Sequence, residues 1–292
     1  MISYDFLTTS ELGEALEFLD RLPYVKIIAG GTDVLVNIHN KSERLPKINY
    51  LLNIGNIERL KYVQKVDQFI EIGPLVTHTQ LLNNLFIKEE FPIIVHAASH
   101  IGSTQIRNRG TIGGNICNAS PAADLLPPLI ALKAELVLTG KNRKRTIPLR
   151  QFLTGPYKHK LQKKEILTKI RIPLLSSNYY TYFQKIGRRK ALSISRLNLA
   201  VVVKIDNNDF FQDVGIVPGS ATPYPQHLLK TEKRVIGQSI QTISPEEIGR
   251  FASEEVISIT GVRWSTPYKK PVISSLVERA IKKIIKEKRN HE

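Results

Sequence analysis

TIGGNICNASPAAD, at residues 111–124, sets two adjacent glycines between a threonine and an asparagine and reaches a carboxylate nine residues further on. A tight turn needs fewer parts, so the stretch reads as backbone wrapped around something. AGGTD, at 29–33, repeats the glycine pair earlier in the chain. Neither pair has the G-x-G-x-x-G spacing of a dinucleotide fingerprint. Neither is a Walker A loop, because the only Gly-Lys pair, Gly140-Lys141, continues with Asn142. Both offer bare backbone, on which consecutive N–H groups can converge on an anion. Thr32, Thr111 and Asn115 add hydroxyl and amide donors of the kind a diphosphate uses. A single Gly-Gly reads most simply as a strand-ending turn. Two pairs in one half, each flanked by a strand-like segment and hydroxyl donors, leave turn and anion cradle both open. Asp124, ahead of Leu-Leu-Pro-Pro, reads either as a helix N-cap or as an acceptor for a cofactor ring N–H or ribose hydroxyl.

Working outward, Thr8 and Glu11 stand at capping-box spacing before a helix whose face is Leu12, Ala15, Leu16 and Leu19. VKIIAGG, KINYLLNIG and QFIEIG read as strands, THTQLLNNL and FPIIVHAASHI as helices. DLLPPLIALKAELVL reads as a helix running into a strand, with RTIPL and EILTKIRIP as two more strands. From about residue 178 the pattern changes. NYYTYFQKIG, LNLAVVVKID and FQDVGIVPG read as three consecutive strands joined by short polar turns. Two helices finish the chain. One is capped at Ser244 with Glu247 three residues on, and the other, PVISSLVERAIKKIIKEK, buries Leu276, Ala280 and Ile284. The split predicts an α/β half to about residue 176 and an α+β half after it.

At 292 residues, with 42% hydrophobic and 23% charged residues, the chain has the composition of a globular protein large enough for two domains. The start, MISYDFLTTSELGEAL, has no basic n-region and is not expected to be a signal peptide; a cytoplasmic location is expected. A single cysteine, Cys117, excludes a disulfide framework and a cysteine-held iron–sulfur cluster within these residues. The net charge of +16 raises the alternative of a basic nucleic-acid-binding module. The cations are dispersed, however, with local clusters at 141–145, 188–190 and the C-terminal residues, and no aromatic RNP pattern or zinc finger accompanies them. Attraction to anionic cofactors or acidic partner subunits explains the same excess.

His96 and His100 share a helix face without the further ligands zinc needs, so they read as packing or surface residues. Cys117 has no neighbouring base and reads as packing rather than as a nucleophile. No acid, base or metal centre is evident. Chemistry would have to come from a bound cofactor.

KIIAGGTD at 26–33, followed by QIRNRGTIGGNICNASPAAD at 105–124, resembles the FAD-binding (medium) subunit of molybdenum hydroxylases, the xanthine dehydrogenase and carbon monoxide dehydrogenase family. EILTKIRIP, YFQKIGRR with ALSISRLNLAVVV after it, and RWSTPYKKP extend the resemblance over essentially the whole chain. Length and wording such as GGNICN look closest to the separate FAD-binding subunit of bacterial xanthine dehydrogenases.

The resemblance implies an α+β protein with a PCMH-type FAD-binding domain over 1–176, made of two α/β subdomains at about 1–56 and 57–176. A C-terminal domain over 177–292 would combine a small antiparallel sheet with helices. The first loop (Lys26, Ile27, Ile28, Ala29, Gly30, Gly31, Thr32 and Asp33) would hold the pyrophosphate of FAD through its N–H groups. Thr111, Ile112, Gly113, Gly114 and Asn115 would complete the pyrophosphate and ribityl contacts, and Asp124 would hydrogen-bond the cofactor. Ile101 falls where relatives put a residue against the flavin ring, and Ile166 or Leu167 would pack near the adenine. Some relatives place a lysine directly after the aromatic of the YFQK strand; here Gln184 precedes Lys185, so either is a candidate to face the flavin. No catalytic or metal-binding residue is implied in this chain. Partner subunits would carry molybdopterin and [2Fe–2S] clusters, and electrons from oxidation of a xanthine-like purine would pass through FAD to NAD⁺. A carbon monoxide, nicotinate or aldehyde dehydrogenase of the same family is the alternative. The reductases of aromatic thioesters are disfavoured, because their cluster-binding cysteine insertion is missing.

Overall fold

A computed structural model describes residues 4–189 and 193–290. The first unit is a three-stranded parallel sheet of β1 (Asp5–Thr8), β2 (Val25–Ile28) and β3 (Tyr50–Asn53), in the order β1-β3-β2. Helix α1 (Leu12–Arg21) lays Ala15, Leu16 and Leu19 on it, as the spacing predicts. The predicted capping box is absent. Thr8 ends β1, and Thr9 ties in the helix entry instead: its Oγ1 accepts the Glu11 N–H at 2.9 Å and donates to the Glu14 carboxylate. The glycine pair then leads into α2 (Val34–His39).

The second unit is built on a five-stranded sheet ordered β4-β5-β10-β6-β7. Strands β4 (Val63–Val66) and β5 (Phe69–Ile72) form a hairpin before a run of short helices. These are α3 (His78–Asn83), α4 (Leu85–Glu90), α5 (Pro92–Ser99), α6 (Thr104–Arg109), α7 (Ile112–Asn118) and α8 (Leu126–Ala131). A capping box that the sequence reading passed over starts α3, where Thr77 and Gln80 exchange side-chain bonds with each other's backbone. After β6 (Glu135–Thr139) and β7 (Lys144–Pro148) come α9 (Leu149–Phe152), the small pair β8 (Leu153–Gly155) and β9 (Lys158–His159), and the central β10 (Ile166–Pro173).

Glu165, at the entrance to β10, has a fully buried carboxylate that receives Arg145 through two 2.8 Å bonds, with the Gln162 N–H at 3.0 Å. The Arg145 bonds hold its pKa below the usual 4.5 against the opposing effect of burial. The unfolded chain therefore takes up this proton first as pH falls, and the pair's contribution is lost progressively below about 4.5. Glu165→Gln is expected to flatten the stability–pH curve in that window, measured as urea midpoints between pH 3 and 6 (roughly the carboxylate range). An unchanged slope would count against it.

The third unit holds β11 (Tyr179–Ile186), β12 (Leu197–Ile205) and β13 (Phe211–Gly219), antiparallel throughout, followed by α10 (Leu229–Val235), α11 (Pro245–Thr260) and α12 (Thr266–Asn290). Strand β12 is apolar on both faces because each face meets a different core. Leu197, Leu199, Val201, Val203 and Ile205 pack under α11 and α12, while Ala200 and Val202 join the core of the second unit. The sheet is thereby held between the second unit and its own helices α11 and α12. Among the described residues, no helix is long and apolar enough to cross a membrane.

Candidate functional site

The chain turns sharply after β2. Gly31 has φ +76°, a conformation that suits glycine. Gly30 is constrained differently: a Cβ there would lie 1.9 Å from the Arg109 carbonyl oxygen and 3.1 Å from the Gly110 Cα. The first glycine loop therefore rests directly on the backbone that enters the second. Among the described residues, the N–H groups of Gly30, Gly31, Thr32 and Asp33 meet no protein acceptor. Four successive free donors around a left-handed residue make an anion-binding concavity.

The second glycine pair departs from its sequence reading. It follows helix α6, and it is not a loop: Gly113 and Gly114 lie in the first turn of α7, behind the N-cap Thr111. Nor are its N–H groups free. Ile112 donates to Val76 O and Gly113 to Pro74 O, both at 2.9 Å; Gly114 donates to Thr111 Oγ1 at 3.0 Å and Asn115 to Thr111 O at 2.9 Å. Gly113 packs against Pro74, whereas a Cβ on Gly114 would meet only Thr111 Oγ1 within 4 Å. What this segment offers is an open flank at Gly114, the Thr111 hydroxyl, and Asn115, whose buried Oδ1 has no partner among the described residues. An orphaned buried acceptor of this kind calls for a donor.

Asp124 is not an N-cap. Helix α8 begins behind Leu125 without a side-chain cap. The Asp124 carboxylate instead takes Lys185 Nζ at 2.6 Å and Asn198 Nδ2 at 3.0 Å, and Lys185 also reaches the His100 carbonyl at 2.8 Å. Both charged side chains are 7% exposed. Burial pushes the Asp124 carboxyl up, with the Lys185 ammonium and the Asn198 amide opposing it. Register puts the two candidates on β11 on opposite faces. Lys185 pairs with Asn198 across the sheet, so both side chains face the second unit; Gln184 pairs with Leu199 on the opposite face, where it accepts the Tyr182 hydroxyl.

The remaining predicted residues divide. Ile101 is half-buried beside this cluster, one residue after the His100 carbonyl, in the turn whose carbonyls Arg107 holds at 2.9 and 3.0 Å. Ile27 and Ala29 pack on the first core, Ile28 is buried, and Ile112 lies in the main core; their side chains serve the fold. The side chains of Ile166 and Leu167 serve the fold similarly. At 1% and 4% exposure they fill two cores. The backbone there has one open edge, since β5 pairs with Ile170–Pro173 and stops short of them. Lys26 lies near Cys117 and His159, and burial lifts the Cys117 thiol to about 12, in keeping with a packing role. The His96 and His100 rings lie 4.9 Å apart against Phe183.

Sequence reasoning missed Arg109, whose carbonyl seats Gly30, and Asn198, whose signal was present as a lone amide inside LNLAVVV. It also missed His78. Its buried Nδ1 has no partner among the described residues, and burial lowers its pKa to about 4, so the ring is neutral at ordinary pH.

Residues 2–175 match the family described as the FAD binding domain in molybdopterin dehydrogenase, and residues 181–284 match the CO dehydrogenase flavoprotein C-terminal domain. The chain belongs to the FAD-binding medium subunits of the molybdenum hydroxylase family. It is 29% identical to the glyceraldehyde dehydrogenase medium chain of Sulfolobus acidocaldarius, over 96% of this chain and 98% of the relative. It is 30% identical to the xanthine dehydrogenase FAD-binding subunit of Escherichia coli O157:H7, over 97% of each. The fold is that of carbon monoxide dehydrogenase from Hydrogenophaga pseudoflava, with a TM-score of 0.87 at 25% identity and 96% of each chain covered. Identities this close do not single out the xanthine dehydrogenase branch. For a FAD-binding subunit the residues present fit the cofactor. Free N–H donors at Gly30–Asp33 suit diphosphate oxygens, and the orphaned Asn115 Oδ1 suits a ribityl or ribose hydroxyl.

Proposed function

We propose that this chain is the electron-relay subunit of a molybdenum hydroxylase that oxidises a xanthine-like purine and delivers the electrons to NAD⁺. Partner subunits carry the molybdopterin centre and the [2Fe–2S] clusters. Bound FAD supplies the exchange between single electrons and electron pairs. The residues of this chain bind and orient it. Gly30, Gly31, Thr32 and Asp33 hold the diphosphate on free N–H groups, and Thr111 and Asn115 take hydroxyls beside the open flank of Gly114. Ile101 would border the flavin ring, and the buried Lys185–Asp124 pair is tied to the same turn through the His100 carbonyl. The 1–176 and 177–292 halves act as the flavin domain and the wall that closes it.

The row of free donors at Gly30–Asp33, seated on the Arg109 backbone, is the observation that carries this reading. The similarity to a glyceraldehyde dehydrogenase medium chain favours a second one, in which the same relay serves an aldehyde. Substrate choice would then belong to the molybdenum subunit. Co-expression with the partner subunits, followed by NADH formation with xanthine, nicotinate or glyceraldehyde as reductant, separates them. Xanthine-dependent NADH supports the first reading. Turnover only with an aldehyde, or only with an artificial dye as acceptor, rejects it.

A further inference from the structure

Gly110 stands where the two glycine segments meet, one residue before Thr111 and against Gly30. Residues 76–78 run antiparallel to residues 110–112. The His78 N–H donates to the Gly110 carbonyl at 3.0 Å, the Ile112 N–H donates to the Val76 carbonyl at 2.9 Å, and Thr77 bridges Thr111. His78 and Gly110 are therefore directly opposite, and cross-strand partners project to the same face. The imidazole fills the place that a side chain on Gly110 would take: a Cβ there would lie 3.0 Å from His78 Cδ2 and 3.2 Å from its Nε2. The Gly110 backbone, at φ −63° and ψ 133°, suits any residue, so glycine is needed here for room and not for conformation. Gly110 also touches the first loop, since a Cβ on Gly30 would lie 3.1 Å from the Gly110 Cα. Ring, Gly110 and Gly30 form a continuous line of contacts that ends at the free N–H groups of residues 30–33.

Nothing in the fold asks for a histidine at this place. The side chain is 3% exposed, and its Nδ1 has no partner among the described residues. A buried nitrogen left unpaired works against stability. The ring is neutral, because burial and then the Arg107 charge hold its pKa at about 4, so it brings no charge toward an anion. What it contributes is shape: a flat, stiff side chain with rotation about two bonds only. In a close-packed interior a displacement at one contact is passed to the next.

We infer that His78 is a positioning residue for the diphosphate cradle, its ring setting the height of the Gly110 backbone and, through it and the Arg109 carbonyl, the placement of the N–H groups of residues 30–33. The inference rests on the reading above in which those groups hold the diphosphate of FAD. Donors of this kind have to be held to within about 0.5 Å of the productive geometry, far less than the thickness of a ring.

The test titrates the full chain with FAD, with phosphorus NMR of the bound cofactor as the report on the cradle and thermal unfolding of the flavin-free chain as the stability control. His78→Ala is expected to weaken FAD binding roughly 10-fold or more and to move the phosphorus resonances. His78→Asn keeps side-chain atoms where Nδ1 and Cδ2 stand, the latter being the ring atom nearest Gly110, and is expected to remain within about 3-fold of wild type. Gly110→Ala presses on the same contact from the other side, against the ring and the Ile106 carbonyl at 3.0 Å, and is expected to weaken binding as well. In His78→Ala/Gly110→Ala the new methyl enters the space the ring leaves, so the double variant is expected to bind FAD more tightly than either single one. A ring that only stabilised the fold would give losses that add, with the phosphorus resonances unmoved wherever FAD still binds. That result, or wild-type affinity in His78→Ala, overturns the inference. If His78→Ala does not fold, Gly110→Ala decides: wild-type affinity and resonances there overturn it equally. Amide resonances of residues 30–33 in the wild-type chain separate two kinds of failure. If FAD leaves them unmoved, the cradle reading fails and the inference falls with it. If FAD moves them and the His78 variants bind as wild type does, the inference alone fails.

Discussion

Gly114→Leu is expected to yield a folded protein without flavin. The Gly114 flank is open, with only Thr111 Oγ1, at 3.0 Å, in reach of a new Cβ, so the α7 helix tolerates a side chain after a small shift of its cap. That side chain fills the space beside Thr111 and Asn115, the flank proposed for the cofactor. Loss of two or three hydrogen bonds of about 1 kcal/mol each, in addition to the volume the side chain occupies, corresponds to an affinity at least about 30-fold lower. Visible absorbance after purification, with far-UV circular dichroism as the folding control, measures it. Gly30→Ala provides the contrast. Its Cβ would meet a carbonyl oxygen of the main chain at 1.9 Å, so the first loop has to leave its seat on Arg109. That variant is expected to lose flavin and stability together. A Gly114→Leu protein with full flavin absorbance would remove this flank from the site.

Lys185→Met leaves the Asp124 carboxyl buried without its cation. Breaking one side of a buried pair costs about 3–5 kcal/mol, which for a chain of this size lowers the melting temperature by roughly 6–20 °C. Burial already raises the Asp124 pKa in the intact protein, and removal of the ammonium raises it further. The folded variant then binds this proton more tightly than the unfolded chain does. Its deficit should shrink as pH falls toward the carboxylate range and grow as pH rises. The double variant Lys185→Met/Asp124→Asn removes both charges and is expected to recover most of the loss, giving a large coupling energy in a double-mutant cycle. Urea denaturation of the four proteins decides the matter. Additive losses would mean that the pair does not act as a unit.

Much of the architecture was legible because its signals are local. The Ala15, Leu16 and Leu19 stripe, the apolar runs of β5, β6 and β10, and the shift to three adjacent strands after residue 178 each follow from side-chain periodicity within a few residues. The errors were also local. Thr8 and Glu11 have capping-box spacing, but Thr8 is taken by a strand, whose partner β3 lies over forty residues away. TIGGN has turn-forming residues, yet the pairing of Thr77 with Thr111 and the bonds to Val76 and Pro74 turn it into the start of a helix. Ile166 and Leu167 sit on a strand whose two faces meet different cores, which strand period alone cannot reveal.

By itself the sequence determined the family and marked the two glycine pairs as the candidate site, because residue types and their order are what such motifs consist of. The division of labour within the site was decided only by the tertiary structure. Free N–H groups remain at Gly30–Asp33 and not at residues 112–115, since hydrogen bonds to Val76, Pro74 and Thr111 consume the latter. Lys185 rather than Gln184 meets Asp124, since the register of β11 on β12 places it opposite Asn198. Both outcomes depend on partners far away in the chain, and a backbone donor or a strand face is settled only when that partner arrives.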